Sequence, residues 1–168
     1  TSEWQQVIGF GKDAASSQTS AQNTLKRGLD PVLAEFNGSG EAIGWQDYLT
    51  SLSDLSSLSA QSMDNGKLLY ASAMVLKAQE DKTHAGAFIA SLSNPWGDDK
   101  SAEVAQTGYK AVWPRDFYQV AMALLALGDT QSPKVAFSYL EKVQVKTNTA
   151  GFSGAPGWFL QKTHVDGQ

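Results

Sequence analysis

The stretch Tyr109-Lys-Ala-Val-Trp-Pro-Arg-Asp-Phe-Tyr-Gln-Val-Ala-Met-Ala-Leu-Leu-Ala-Leu-Gly-Asp129 decides the fold. From Asp116 onward Phe117, Val120, Ala121, Leu124 and Leu125 recur at helical spacing, and Gly128 stops the pattern. Pro114 restricts Trp113 to extended backbone, so Trp113, Arg115 and Asp116 stand together at the entrance of that helix. Immediately beyond, Ser132 reads as an N-cap and Pro133 as a first helical residue. Val135, Ala136, Tyr139, Leu140 and Val143 follow as an apolar stripe. Two consecutive amphipathic helices with so short a connection form a helical hairpin, and the expected fold class is all-α.

Working toward the N-terminus, residues 80–112 show no sustained period. Gly86, Asn94, Pro95, Gly97, Asp98, Asp99 and Gly108 punctuate them densely, with at most a short strand near Ala87 to Ser91. Irregular runs of such length within a compact domain are uncommon and are often functional. Before them, a helix is expected from about Asp64 to Gln79, burying Leu68, Leu69, Met74 and Val75, and a shorter one from Trp45 to Leu52. Leu25, Leu29, Val32, Leu33 and Phe36 give a long helix from Ser16 to about Phe36, broken at Gly28 and Asp30-Pro31. Its polar start, Ala14 to Asn23, reads equally well as a linker. The first twelve residues, with Trp4, Val7, Ile8 and Phe10, form a different, extended pattern. Toward the C-terminus a second irregular, aromatic and glycine-rich stretch, Gly151-Phe-Ser-Gly-Ala-Pro-Gly-Trp-Phe159, leads to Gln161-Lys-Thr-His-Val-Asp-Gly-Gln168.

Composition narrows the function classes. The 168 residues are 42% apolar with a net charge of -4, enough for one packed core and ordinary for a globular protein. Only 13 Lys and Arg, without a basic run, give no footprint for nucleic acid or an anionic membrane. No stretch approaches the roughly 20 apolar residues of a membrane span, and no charged start followed by an apolar core reads as a signal peptide. A chain starting at Thr1 is expected to have been processed or cut. With no cysteine, disulfides, thiolate metal sites and cysteine nucleophiles are excluded together.

The chemistry-bearing residues concentrate in the opening stretch. Aromatic faces cover the apolar C–H side of a pyranose, while Arg and Asp offer donors and acceptors for its hydroxyls. Each residue also has a plainer reading. With Gln119 three residues on, Asp116 resembles a capping box, its carboxylate serving its own helix. Arg115 alone reads as a surface cation, Trp113 as a core aromatic, His164 as a hydrogen-bonded or exposed histidine against its reading as a general base, and Asp98-Asp99 as a solvated turn against its reading as a metal site. Trp96 reads as core or as a rim platform. No serine elbow, phosphate-cradling loop or His-rich metal pattern is present, so neither a metal nor a cofactor is expected. Glycoside hydrolysis with inversion needs two carboxyl groups roughly 6.5–9.5 Å apart. Asp116 and Asp166 are candidates by loop placement, but nothing around them predicts the raised pKa of a general acid.

Two further runs extend the reading. Glu80-Asp-Lys-Thr-His-Ala-Gly-Ala-Phe-Ile-Ala-Ser-Leu-Ser-Asn-Pro-Trp-Gly97, together with Gly108 to Asp129, resembles glycoside hydrolase family 15, in particular bacterial glucoamylases and glucodextranases. The tail Phe159-Leu-Gln-Lys-Thr-His-Val-Asp-Gly167 is similar to that family's Phe-Pro-Gln stretch followed by Asp-Gly, with Leu160 where proline is common. The opening Val7-Ile-Gly-Phe-Gly-Lys12 resembles the last strand of the β-sandwich domain that precedes the catalytic domain in bacterial members.

The resemblance implies an (α/α)6 barrel of helical hairpins whose loops form a pocket for the non-reducing end of an α-glucan or maltooligosaccharide, in a secreted or periplasmic enzyme. Residues 1–12 would end the preceding β-sandwich domain, 13–60 would be the helical linker and approach, and 61–168 the first part of the barrel. By matched position Tyr109 and Trp113 would line the terminal-sugar subsite, Arg115 and Asp116 would hydrogen-bond that sugar, and Trp158 would form an aromatic wall. The family's catalytic glutamates, an acid and a base for inverting hydrolysis, would lie past Gln168. No catalytic residue is therefore assigned here, and the remaining segment of the same enzyme becomes the expected partner. The competing reading is a non-catalytic helical carbohydrate-binding or scaffold module using Trp96, Trp113 and Trp158.

Overall fold

The computed structural model describes residues 4–38, 43–93 and 108–167. Among them are seven helices: α1 (Ala14–Arg27), α2 (Leu29–Asn37), α3 (Trp45–Ser51), α4 (Leu55–Ser59), α5 (Lys67–Ala78), α6 (Pro114–Ala126) and α7 (Gln131–Val143). No strand forms among the described residues. Two isolated antiparallel bridges, Glu80 with Phe88 and Val112 with Thr163, are the β-type pairings present there. The chain divides into two compact units, Thr1–Thr50 and Ser51–Gln168.

In the first unit, the polar run from Ala14 is helical. Asp13 accepts the Ser16 N–H at 2.7 Å, and Ser16 Oγ accepts the Asp13 N–H at 3.1 Å, a reciprocal cap that starts α1 without an apolar face. The break expected near Gly28 and Pro31 separates two helices, which an Arg27–Glu35 ion pair links. Neither helix buries a residue, and Leu25, Leu29, Leu33 and Phe36 stay substantially exposed.

The core of the second unit lies under the α6–α7 hairpin. Phe117 stacks on Tyr139 with ring centroids 6.5 Å apart, and Phe88 meets the same Phe117 edge-on at 6.1 Å. Ala87, Val112, Leu124 and Ala136 complete this buried cluster. Ala87 and Phe88 reach it from the irregular stretch after α5. Around them Asp81 N–H bonds to Ala87 O at 2.9 Å and Ile89 N–H to Gln79 O at 3.1 Å, so the expected strand is reduced to one bridge. Gly86 makes this approach possible: at φ +82°, an added Cβ would sit 2.4 Å from the Val135 carbonyl oxygen of α7.

Helix starts depart from the sequence expectation for identifiable reasons. α7 begins at Gln131 with Thr130 at the N-cap, and the capping side chain is Asp129, not Ser132. Asp129 Oδ1 accepts the N–H groups of Gln131 and Ser132 at 3.1 and 2.9 Å, and its Oδ2 accepts the Ser132 hydroxyl at 2.6 Å. A carboxylate satisfies more of the orphan donors than a hydroxyl can. The freed acceptor side of Ser132 Oγ takes a bond from Lys77 Nζ at 2.7 Å, and Lys77 also pairs with Glu80 at 2.6 Å. α5 is likewise shorter than expected, because Asp64 caps from outside by accepting the Leu68 N–H at 2.9 Å. Its expected apolar face is covered only in part: Ala73 is buried, Leu69 and Met74 are half-buried, and Leu68 and Val75 are exposed.

Candidate sugar-binding site

The helix entrance is built by backbone restriction. Trp113 has φ -107° and ψ 118°, the extended geometry that a following proline demands, and Pro114 opens α6 where its missing N–H costs nothing. Val112 and Thr163 exchange two backbone hydrogen bonds, 2.9 and 3.0 Å, which lay the tail beside this entrance. Upstream, Ala90 and Ser91 N–H groups bond to Ala111 O and Tyr109 O, each at 3.0 Å. Lys110 Nζ gathers the carbonyls of Ser91, Leu92 and Ser93. The entrance is thus held on both sides by main-chain pairing.

Within that frame, the Trp113 indole N–H donates to Gly108 O at 2.7 Å. Two cations lie over the indole: the Arg115 guanidinium carbon 5.7 Å from its centroid and Lys162 Nζ at 5.5 Å. Arg115 Nη2 stands 3.4 Å from Asp116 Oδ2 as an ion pair, with the Arg115 side chain 75% exposed. Asp116 is half-buried, and its Oδ2 is shut off from solvent without a hydrogen-bond partner among the described residues.

The geometry of the helix start bears on the plainer reading of Asp116. Trp113 occupies the N-cap of α6 and no side chain caps the helix, so the capping-box reading is overturned. Asp116 lies inside the first turn, where the helix dipole favours a carboxylate. Arg115 is exposed, as a surface cation is, and it also lies over the Trp113 ring and pairs with Asp116. The partly exposed Asp116 carboxylate beside an exposed guanidinium offers a polar ligand one group that accepts a hydrogen bond from a hydroxyl and another that donates to its oxygens.

The remaining candidates fall elsewhere. Tyr109 is partly exposed and adjoins the entrance through the 108–111 turn. Trp158 is partly exposed and packs edge-on against Phe152 at 4.5 Å, while its carbonyl accepts the Val145 N–H at 2.8 Å. It therefore belongs to a second aromatic cluster fixed at the end of α7. The His164 side chain is exposed, and its carbonyl accepts the Tyr139 hydroxyl at 2.7 Å. The Asp166 carbonyl accepts Lys142 Nζ at 3.0 Å. Trp96, Asp98 and Asp99 lie outside the described residues. Among the described residues no three acidic or histidine side chains converge to hold a metal ion. No described helix is long and apolar enough to cross a membrane. Lys162 is the site residue that residue-by-residue reading missed: its partner is remote in sequence, and nothing in Gln161-Lys-Thr signals it.

Comparison with known proteins gives concordant results. Residues 64–155 match the family Glycosyl hydrolases family 15. The chain is 37% identical over 165 residues to a glucoamylase of Clostridium sp. (strain G0005), covering 94% of this chain and 21% of that protein. It also superposes on the crystal structure of a bacterial glucoamylase complexed with acarbose with a TM-score of 0.66 and 35% identity, covering 95% of this chain and 21% of the other. The chain thus spans about a fifth of the length of the relatives it matches.

Proposed function

The chain belongs to glycosyl hydrolase family 15, and from that premise we propose that it is the sugar-binding part of a glucoamylase-like enzyme releasing glucose from the non-reducing ends of α-glucans with inversion. The observation that carries this reading is the partly exposed Asp116 carboxylate paired with the exposed Arg115 guanidinium at the entrance of α6. A terminal glucose presents vicinal hydroxyls that Asp116 accepts from and Arg115 donates to. Tyr109 and Trp113 flank the same entrance, and Trp158 supplies an aromatic wall farther along the glucan.

The hydrolytic acid and base belong to the remaining four-fifths of such an enzyme, and residues 61–168 are the first hairpins of its (α/α)6 barrel. Support comes from the apolar side chains that the described helices leave exposed: Leu68 and Val75 on α5, Tyr118, Met122 and Leu125 on α6, and Phe137 on α7. Further hairpins would cover them. Residues 1–12 end a preceding β-sandwich domain and 13–60 form the linker, in an enzyme acting outside the cytoplasm. The test is steady-state hydrolysis of maltose and longer maltodextrins by the complete polypeptide, with Arg115→Ala and Asp116→Asn beside it. Unchanged kcat/KM in both variants removes the assignment of the site.

A further inference from the structure

We propose that Lys162 is a positioning residue of this site: its ammonium over the Trp113 indole holds the ring, and through it Arg115, in place beside the Asp116 carboxylate. The inference rests on the glucan-binding reading and adds to it a residue from the second irregular stretch.

Three observations converge on it. The paired Val112 and Thr163 backbones fix where Lys162 enters, one residue from the bridge. Gly108 leaves the space: at φ +66°, an added Cβ would lie 3.1 Å from Trp113 Cζ2 and 3.8 Å from Lys162 Nζ. Finally, two like charges share one ring, an arrangement that mutual repulsion opposes and the negative π-face of the indole offsets. The ring is tied at its polar edge by Gly108 O and covered by cations, so it serves as the mount for Arg115. On this view Trp113 acts on the substrate through the guanidinium it orients, more than by stacking on sugar.

The test uses the complete polypeptide, with Lys162→Met, Lys162→Arg, Trp113→Leu and the Trp113→Leu/Lys162→Met double variant, and Lys134→Met on the exposed side of α7 as a control. Lys162→Met is expected to lower kcat/KM on maltose about fivefold through KM, with Tm unchanged, and Lys162→Arg to restore it. In the Trp113→Leu background, Lys162→Met should cost nothing further, because its route through the ring is already gone. Unchanged kinetics in Lys162→Met overturns the proposal, as does a loss that arginine does not rescue or that adds fully to Trp113→Leu. If Arg115→Ala loses activity while Lys162→Met keeps it, the Lys162 role alone fails. A complete polypeptide inert toward glucans, or an Arg115→Ala variant of full activity, overturns the glucan reading itself.

Discussion

The Tyr139 hydroxyl donates to the His164 carbonyl oxygen at 2.7 Å, with Thr163 Oγ1 3.1 Å from the same hydroxyl, and so clamps the tail onto α7 from inside the core. Tyr139→Phe keeps the ring stacked on Phe117 but removes the clamp and leaves a buried acceptor with one partner fewer. A loss of about 1–2 kcal/mol is expected, measured by denaturant unfolding of the complete polypeptide. Burial holds the Tyr139 hydroxyl above the usual phenol range, against a smaller opposing effect of the Thr163 hydrogen bond. Its ionisation therefore lags behind that of the unfolded chain. The contribution is whole below about pH 10 and declines as pH rises beyond it. The difference in stability between wild type and Tyr139→Phe should shrink in alkaline buffer.

At the opposite end of the pH scale, Asp81 ties the turn before Gly86. Burial raises its pKa, but hydrogen bonds from the His84 N–H, the His84 ring at 2.9 Å and the Thr83 N–H win, and the carboxyl ends below its ordinary value. A depressed folded pKa stabilises above the unfolded value, and the effect is lost as pH falls through the folded one. Asp81→Asn should lower Tm near neutrality and cost progressively less in acid below about pH 4. A Tm difference that persists undiminished at pH 2 counts against the charge as its cause.

Gly86→Ala tests the close approach of the 80s turn to the backbone of α7. The new Cβ would meet the Val135 carbonyl oxygen at a positive φ, so both backbone strain and displacement of α7 oppose it. Destabilisation of at least about 1–3 kcal/mol is expected, and a neutral result in denaturant titration would show that the 80s turn can move off α7.

The hairpin was legible because α6 and α7 each bury an apolar stripe, and Pro114 and Gly128 mark where α6 begins and ends. Asp129 escaped notice as a cap because it lies outside α7, while Ser132-Pro133 mimics a helix start. The exposure of Leu68 and Val75 was not readable either. Periodicity reports which face is apolar, not whether something lies against it. At the site, adjacency in sequence exposed Trp113, Arg115 and Asp116. Lys162 reaches them through a bridge between distant segments, which carries no local pattern.

Arg115→Ala and Asp116→Asn should weaken sugar recognition more than folding. Neither side chain bonds to a helix N–H, so Tm should hold, whereas a charge-assisted contact to substrate is worth about 1.5–3 kcal/mol and its loss at least tenfold in kcat/KM. A drop in Tm with kinetics intact would return Asp116 to a purely structural role.

Residues 1–168 produced alone should release no glucose from maltodextrin and should associate. Leu68 and Val75 on α5, Met122 on α6 and Phe137 on α7 are exposed together with the apolar residues of α1 and α2, and uncovered apolar surface drives aggregation. Light scattering and a glucose assay, with and without co-expression of the remaining segment, check both halves of the expectation. Restored solubility and glucose release on co-expression would fit a barrel completed by that segment. Glucose released by the purified 168-residue chain, free of contaminating hydrolases, would place the catalytic carboxylates within it and single out Asp116 and Asp166.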